Sequence, residues 1–139
     1  MKTNNELIRE LLKKAELIPN GESISITKLE EEMPEYADDI LAMITLLNRE
    51  HFIMIVDRPG YNDAEIFREN KLKGLTERGY RCLDVIREDE VWNLMKEKLI
   101  NFNDLSFFII THIASRIVED KHNKLFNLNS DTVIDFTRW

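Results

Sequence analysis

The sequence predicts an α+β fold, a winged helix-turn-helix with a C-terminal helical extension, on three observations. Stretches with apolar residues at helical spacing fill most of the first fifty positions. A run rich in β-formers then follows, His51 to Val56, with Lys71 to Leu75 as its return strand. Beyond Leu75 helical spacing resumes and continues to Val118. Residues 1–122 are expected to form the winged-helix domain with its C-terminal helices, and residues 123–139 an apolar tail docked on that domain or on a partner.

Leu7, Ile8, Leu11, Leu12, Ala15 and Leu17 or Ile18 set the first helix, which the breaker run Pro19-Asn20-Gly21 ends. Ser23 to Thr27 alternates polar and apolar residues, as a half-buried edge strand does. Thr27-Lys28-Leu29-Glu30 has the pattern of a capping box, in which hydroxyl and carboxylate satisfy free N–H groups at the start of a second, short helix. Pro34 closes that helix. From Glu35 to Arg49 a third helix carries Tyr36, Ile40, Met43, Ile44 and Leu47 on one face, in the place of a recognition helix. His51 to Val56 is the first wing strand, turned by Arg58-Pro59-Gly60, and Lys71 to Leu75 is the return strand.

At Leu75-Thr76-Glu77-Arg78-Gly79-Tyr80 the chain turns helical again, with Thr76 as cap and Glu77 at the positive end of the dipole. Tyr80, Leu83 and Ile86 form one apolar stripe, and Val91, Trp92, Met95 and Leu99 a second. Asn103-Asp104 opens a last helix that is apolar over more than one face: Leu105, Phe107, Phe108, Ile109, Ile110, Ile113, Ala114, Ile117 and Val118.

The run Leu75-Thr76, Gly79-Tyr80, Leu83-Asp84, Ile86-Arg87-Glu88-Asp89, Trp92 and Lys96, after a winged-helix-like half from Glu6 to Val56, resembles a family of small bacterial and prophage proteins catalogued as domain of unknown function 2513. The likeness covers Asn5 to Val118. It implies winged-helix architecture and a phage origin, and it brings no catalytic residue with it. Two departures stand out. The segment from Arg58 to Lys71 is long for a connection between wing strands, and the tail after Lys121 has no counterpart in the resemblance.

Composition narrows the function classes. The chain has 139 residues, 43% hydrophobic and 32% charged, enough for a real core and ordinary for a globular protein. No apolar run reaches membrane-spanning length, so no membrane partner is expected. Cys82 is the single cysteine, which excludes an internal disulfide and suits a reducing cytoplasm. The net charge of −7 is unevenly spread: residues 1–60 hold 7 Lys and Arg against 12 Asp and Glu. The winged-helix half is therefore the acidic half. Duplex binding draws its affinity from cations that neutralise phosphates, so nucleic acid is disfavoured as a partner.

The candidate partner-facing residues follow from that charge. Asp38, Asp39, Ala42, Thr45 and Arg49 share the polar face of the third helix. Two carboxylates at its start repel phosphate, either as a protein-facing acidic surface or as a solvated helix start that favours the dipole. Arg58, Tyr61, Phe67 and Arg68 stand in the wing segment, where Asp63, Glu65 and Glu69 offset the cations. Self-association is expected as a homodimer through Phe107, Phe108, Ile110, Ile117 and Trp139.

Nothing in the pattern points to catalysis, a cofactor or a metal. His51, His112 and His122 lack metal-ligand spacing, and Asp104 with His112 has no nucleophile to complete a triad. Gly74 and Gly79 match no phosphate-binding loop, and Cys82 and Trp92 read as packed residues. The expected function is a non-enzymatic interaction module, a phage-borne regulator or inhibitor that holds a protein partner. The alternative is a winged-helix transcriptional regulator that binds DNA.

Overall fold

A computed structural model describes residues 4–56 and 71–123. Over these residues the protein is α+β and mostly helical, with a small three-stranded antiparallel sheet. In chain order the elements are α1 (Asn5–Leu17), β1 (Ile24–Ser25), α2 (Ile26–Glu32), a 3-10 turn (Pro34–Tyr36), α3 (Ala37–Arg49), β2 (Ile53–Val56) and β3 (Lys71–Leu75). They continue with α4 (Glu77–Ile86), α5 (Asp89–Lys98), a second 3-10 turn (Phe102–Asp104) and α6 (Phe107–Asn123). The chain divides into two compact units, Glu6–Arg81 and a second of Met1–Asn5 with Cys82–Trp139, of which residues 4–5 and 82–123 are described.

In the unit Glu6–Arg81, α1 buries Leu7, Ile8, Leu11, Leu12 and Ala15, the stripe its spacing requires. Leu17 is exposed and Ile18 half-buried, so Ile18 is the residue of that pair that turns inward. The turn after α1 is closed by the Glu22 N–H donating to the Pro19 carbonyl at 3.0 Å, with Gly21 at a φ of 83° that a side chain rarely tolerates. Strand β1 is only two residues long. The capping box expected at Thr27 is displaced: α2 starts at Ile26, and the Ser25 hydroxyl accepts from the Lys28 N–H at 3.1 Å. Ser25 has extended backbone (φ −72°, ψ 154°), the geometry that lets a hydroxyl reach the third residue on, whereas Thr27 is already inside the helix.

The third helix begins as a 3-10 turn from Pro34 and becomes α-helical at Ala37, two residues later than the spacing suggests. Ile40, Met43, Ile44 and Leu47 are buried as expected, while Tyr36 is only half-buried. The sheet has the order β1-β3-β2, with Ile24 opposite Leu72 and Ile53 opposite Leu75. An irregularity between Met54 and Ile55 leaves Lys73 without a cross-strand partner on β2, beside Gly74. The strand expected from His51 starts at Ile53, because His51 and Phe52 complete the end of α3.

In the second unit, Leu83, Ile86, Val91, Trp92, Met95, Leu99, Phe102, Leu105, Phe107, Ile110, Ile113 and Ala114 are buried. Trp92 is 1% exposed and meets Phe102 edge to face, with ring centroids 5.2 Å apart at 86°. Two expectations along α4 and α6 are corrected. Tyr80 is exposed, because the inward positions of α4 are Gly79, Leu83 and Ile86. The last helix starts at Phe107 and is capped by Ser106, whose hydroxyl accepts from the Ile109 N–H at 3.3 Å; Asp104 lies in the preceding 3-10 turn.

Candidate functional site

The open face of α3 is built from residues that the helix start and the core stripe leave outward. Asp38 and Asp39 are exposed in its first turn, Thr45 in its middle and Arg49 in its last turn. Ala42 is half-buried. The Thr45 hydroxyl donates to the Leu41 carbonyl at 2.7 Å, which commits its hydrogen to its own helix. The Arg49 Nε lies 3.9 Å from the Glu50 carboxylate, a loose pair. Negative charge thus stands at the positive end of the helix dipole, and the cation at the other end faces a carboxylate.

The direction of this face is fixed by the way α3 ends. Its last carbonyls are satisfied by a reversed turn in which the His51 N–H donates to Asn48 at 3.1 Å and the Phe52 N–H to Leu47 at 2.9 Å. His51 takes the left-handed conformation (φ 62°) that glycine usually supplies there. Buried Phe52 and Leu47 are the apolar pair that accompanies such a turn. The start of α4 closes on the same two residues. The Thr76 hydroxyl donates to the His51 carbonyl and accepts from the Gly79 N–H at 3.1 Å, while the Thr76 N–H donates to the Phe52 carbonyl at 3.2 Å. The Arg78 guanidinium lies 4.6 Å from the centre of the Phe52 ring. A Cβ on Gly79 would stand 2.0 Å from the Phe52 carbonyl oxygen, so only glycine fits. The Thr76 cap is legible in the sequence, but the clamp onto Phe52 is not. Its one signal is a glycine in the first turn of a helix, where it carries a propensity cost and so implies a close approach.

Of the wing candidates, Arg58, Tyr61, Phe67 and Arg68 lie outside the described residues. What is described is the sheet that precedes and follows them. Met54 and Val56 on β2 and Lys71 and Lys73 on β3 are exposed, and Val56 is paired with Lys71. Met54 and Val56 are an addition to the expected surface, and the unbroken apolar run at a sheet edge was their signal.

Of the self-association candidates, Phe107 and Ile110 are buried within the chain, at 5% and 0% exposure. They face the core because Phe107, Ile110, Ile113 and Ala114 make one stripe at helical spacing. Phe108 is 66% exposed and Ile117 half-buried, and Trp139 lies outside the described residues. Ile109 is also exposed beside Phe108, so the open apolar surface is narrower than the sequence suggests and sits at the start of α6.

A shallow cavity of about 260 Å³ opens between the end of α1 and α2, with Ile18, Pro19 and Ile24 as its apolar lining and Lys14, Lys28 and Glu32 around them. The Lys14 ammonium bonds Glu32 at 2.9 Å, and this bond, with the charge of Lys28 behind it, holds the Glu32 carboxyl below the usual carboxylate range. Among the described residues no group of three or more His, Cys, Asp and Glu is placed to hold a metal ion, and no helix is long and apolar enough to cross a membrane.

A family model described as "Hypothetical protein (DUF2513)" matches residues 2–103. The chain belongs to this family. The match spans all the elements from α1 to α5 and includes the Thr76–Gly79 clamp, so the resemblance read from Leu75 to Lys96 is sound. No curated protein and no solved structure matches the chain.

Proposed function

We propose that Glu6–Arg81 is a winged helix whose α3 meets a protein instead of a DNA groove, and that the chain is a non-enzymatic interaction module, a phage-borne regulator or inhibitor of a host protein. The element order α1-β1-α2-α3-β2-β3 with strand order β1-β3-β2 supports the architecture. One observation carries the function: the exposed first turn of α3, where a groove-reading helix makes its base contacts, presents Asp38 and Asp39. Carboxylates there cost phosphate affinity, while the net acidity of residues 1–60 adds long-range repulsion.

Titration of labelled duplex DNA at near-physiological salt tests the reading. Weak, sequence-indifferent binding is expected. Sub-micromolar, selective binding would establish the rival reading of a DNA-binding regulator, which exposed Lys71 and Lys73 on β3 favour. The positive arm is capture of one discrete protein from the native host by the parent chain and its loss with Asp38→Lys/Asp39→Lys. Equal capture by both would remove α3 from the interface.

The exposed Phe108 and Ile109 support a homodimer through the start of α6. Light scattering should give twice the chain mass for the parent and a monomer for Phe108→Ser. A monomeric parent refutes the dimer.

A further inference from the structure

We propose that Asn5 and Asn101 hold a buried water molecule against the turn that joins α5 to α6. Asn101 opens the 3-10 turn: its carbonyl accepts from the Asp104 N–H at 3.0 Å, but its side chain takes no part in capping. That side chain is 7% exposed, and among the described residues neither its Oδ1 nor its Nδ2 meets a protein partner. Asn5 is completely buried and is held to the same turn. Its Nδ2 donates to the carbonyls of Phe102 and Leu105, each at 3.1 Å, which uses both of its hydrogens. Its Oδ1 is left over.

Three buried side-chain atoms therefore await partners beside this turn, the carbonyl oxygens of Asn5 and Asn101 and the amide nitrogen of Asn101. Left unmet, such groups cost more than an ordinary hydrogen bond returns, and native proteins rarely keep them so. Rotating the Asn101 amide by half a turn exchanges its donor and acceptor and leaves the count unchanged. Rotating Asn5 would set its oxygen against two carbonyl oxygens, so its orientation is fixed. One water gives each of the three atoms a partner. Its two hydrogens go to Asn5 Oδ1 and Asn101 Oδ1, and its oxygen accepts from Asn101 Nδ2. That makes about three bonds, the usual number for a buried water. A cation would satisfy the two oxygens but repel the Nδ2 donor, so the site selects water over sodium or potassium.

A crystal structure of the full chain tests this directly. Expected is a water peak within hydrogen-bonding distance of the Asn101 amide and of Asn5 Oδ1. An Asn101 amide bonded to protein groups, or no water between the two side chains, overturns the proposal. Denaturation of Asn101→Leu gives a second reading with opposite signs. If water is held there, the variant strips it of two of its three bonds and the midpoint falls. If the amide is simply unbonded, an apolar side chain of similar volume raises the midpoint and the proposal fails.

Discussion

Replacing Gly79 by Ala should destabilise the protein although alanine is the better helix former. The added Cβ would lie 2.0 Å from the Phe52 carbonyl oxygen, 3.1 Å from its carbonyl carbon and 3.2 Å from a Leu75 methyl. Ordinary contact needs the helix start and Phe52 to separate by about 1 Å or more. That movement breaks the bond from Thr76 N–H to the Phe52 carbonyl, already 3.2 Å long, at a cost of about 1 kcal/mol. Overpacking against backbone, which cannot rotate away as a side chain can, adds about 1–3 kcal/mol. Against this stands a helix-propensity gain of about 1 kcal/mol. The net loss is about 1–3 kcal/mol. Urea denaturation followed by circular dichroism measures it, with Gly74→Ala as control, since a Cβ there meets, among the described residues, only the Met54 methyl at 3.5 Å. Thr76→Ala should lose stability by breaking the same clamp, and the double variant should lose less than the sum of the two. If Gly79→Ala is as stable as the parent, the close approach is wrong. If the double variant is additive, Thr76 and Gly79 do not act through one contact.

Other expectations follow from the same geometry. Trp92→Ala removes a ring that is 1% exposed and should cost about 3–5 kcal/mol; a variant melting within a few degrees of the parent would show that the ring is not core. His51→Gly relieves a left-handed residue worth about 1–2 kcal/mol, offset by about 0.5–1 kcal/mol of extra chain freedom when unfolded, so thermal melting should show a small stabilisation and His51→Val a loss. The Lys14–Glu32 bond lowers the folded pKa of Glu32, so its contribution is complete above the ordinary carboxylate pKa and disappears as pH falls through the depressed one. The stability gap between the parent and Glu32→Gln should accordingly close in acid, and a gap that persists there would assign it to packing.

The parts of this fold that can be read from sequence are those decided within a few residues. The stripe Leu7, Ile8, Leu11, Leu12 and Ala15 needs only helical spacing, and β3 from Lys71 to Leu75 needs only alternation and a following cap. Caps are harder, because several hydroxyls compete and the winner depends on where the backbone leaves the extended region. Ser25 wins over Thr27 for that reason, and Ser106 takes the capping place expected of Asn103-Asp104. Helical spacing alone does not show that Tyr80 faces outward, because its position on α4 follows from which side approaches Phe52, and that side is fixed by Gly79, twenty-seven residues along the chain from its neighbour.

The same distinction applies to the surfaces. The acidity of α3 is a local property, visible in Asp38 and Asp39, but what it means depends on how those groups are presented. His51, Phe52, Thr76 and Gly79 tie the end of α3 to the start of α4 through a backbone contact too close for any other residue at position 79. A helix held at its C-terminal end in this way presents its N-terminal turn in a fixed direction. If the clamp and the acidic turn serve one function, a clamp variant that stays folded should lose the partner that Asp38→Lys/Asp39→Lys loses, while α3 remains helical. If it retains that partner, the clamp serves the fold alone, and the acidic turn binds without a fixed presentation.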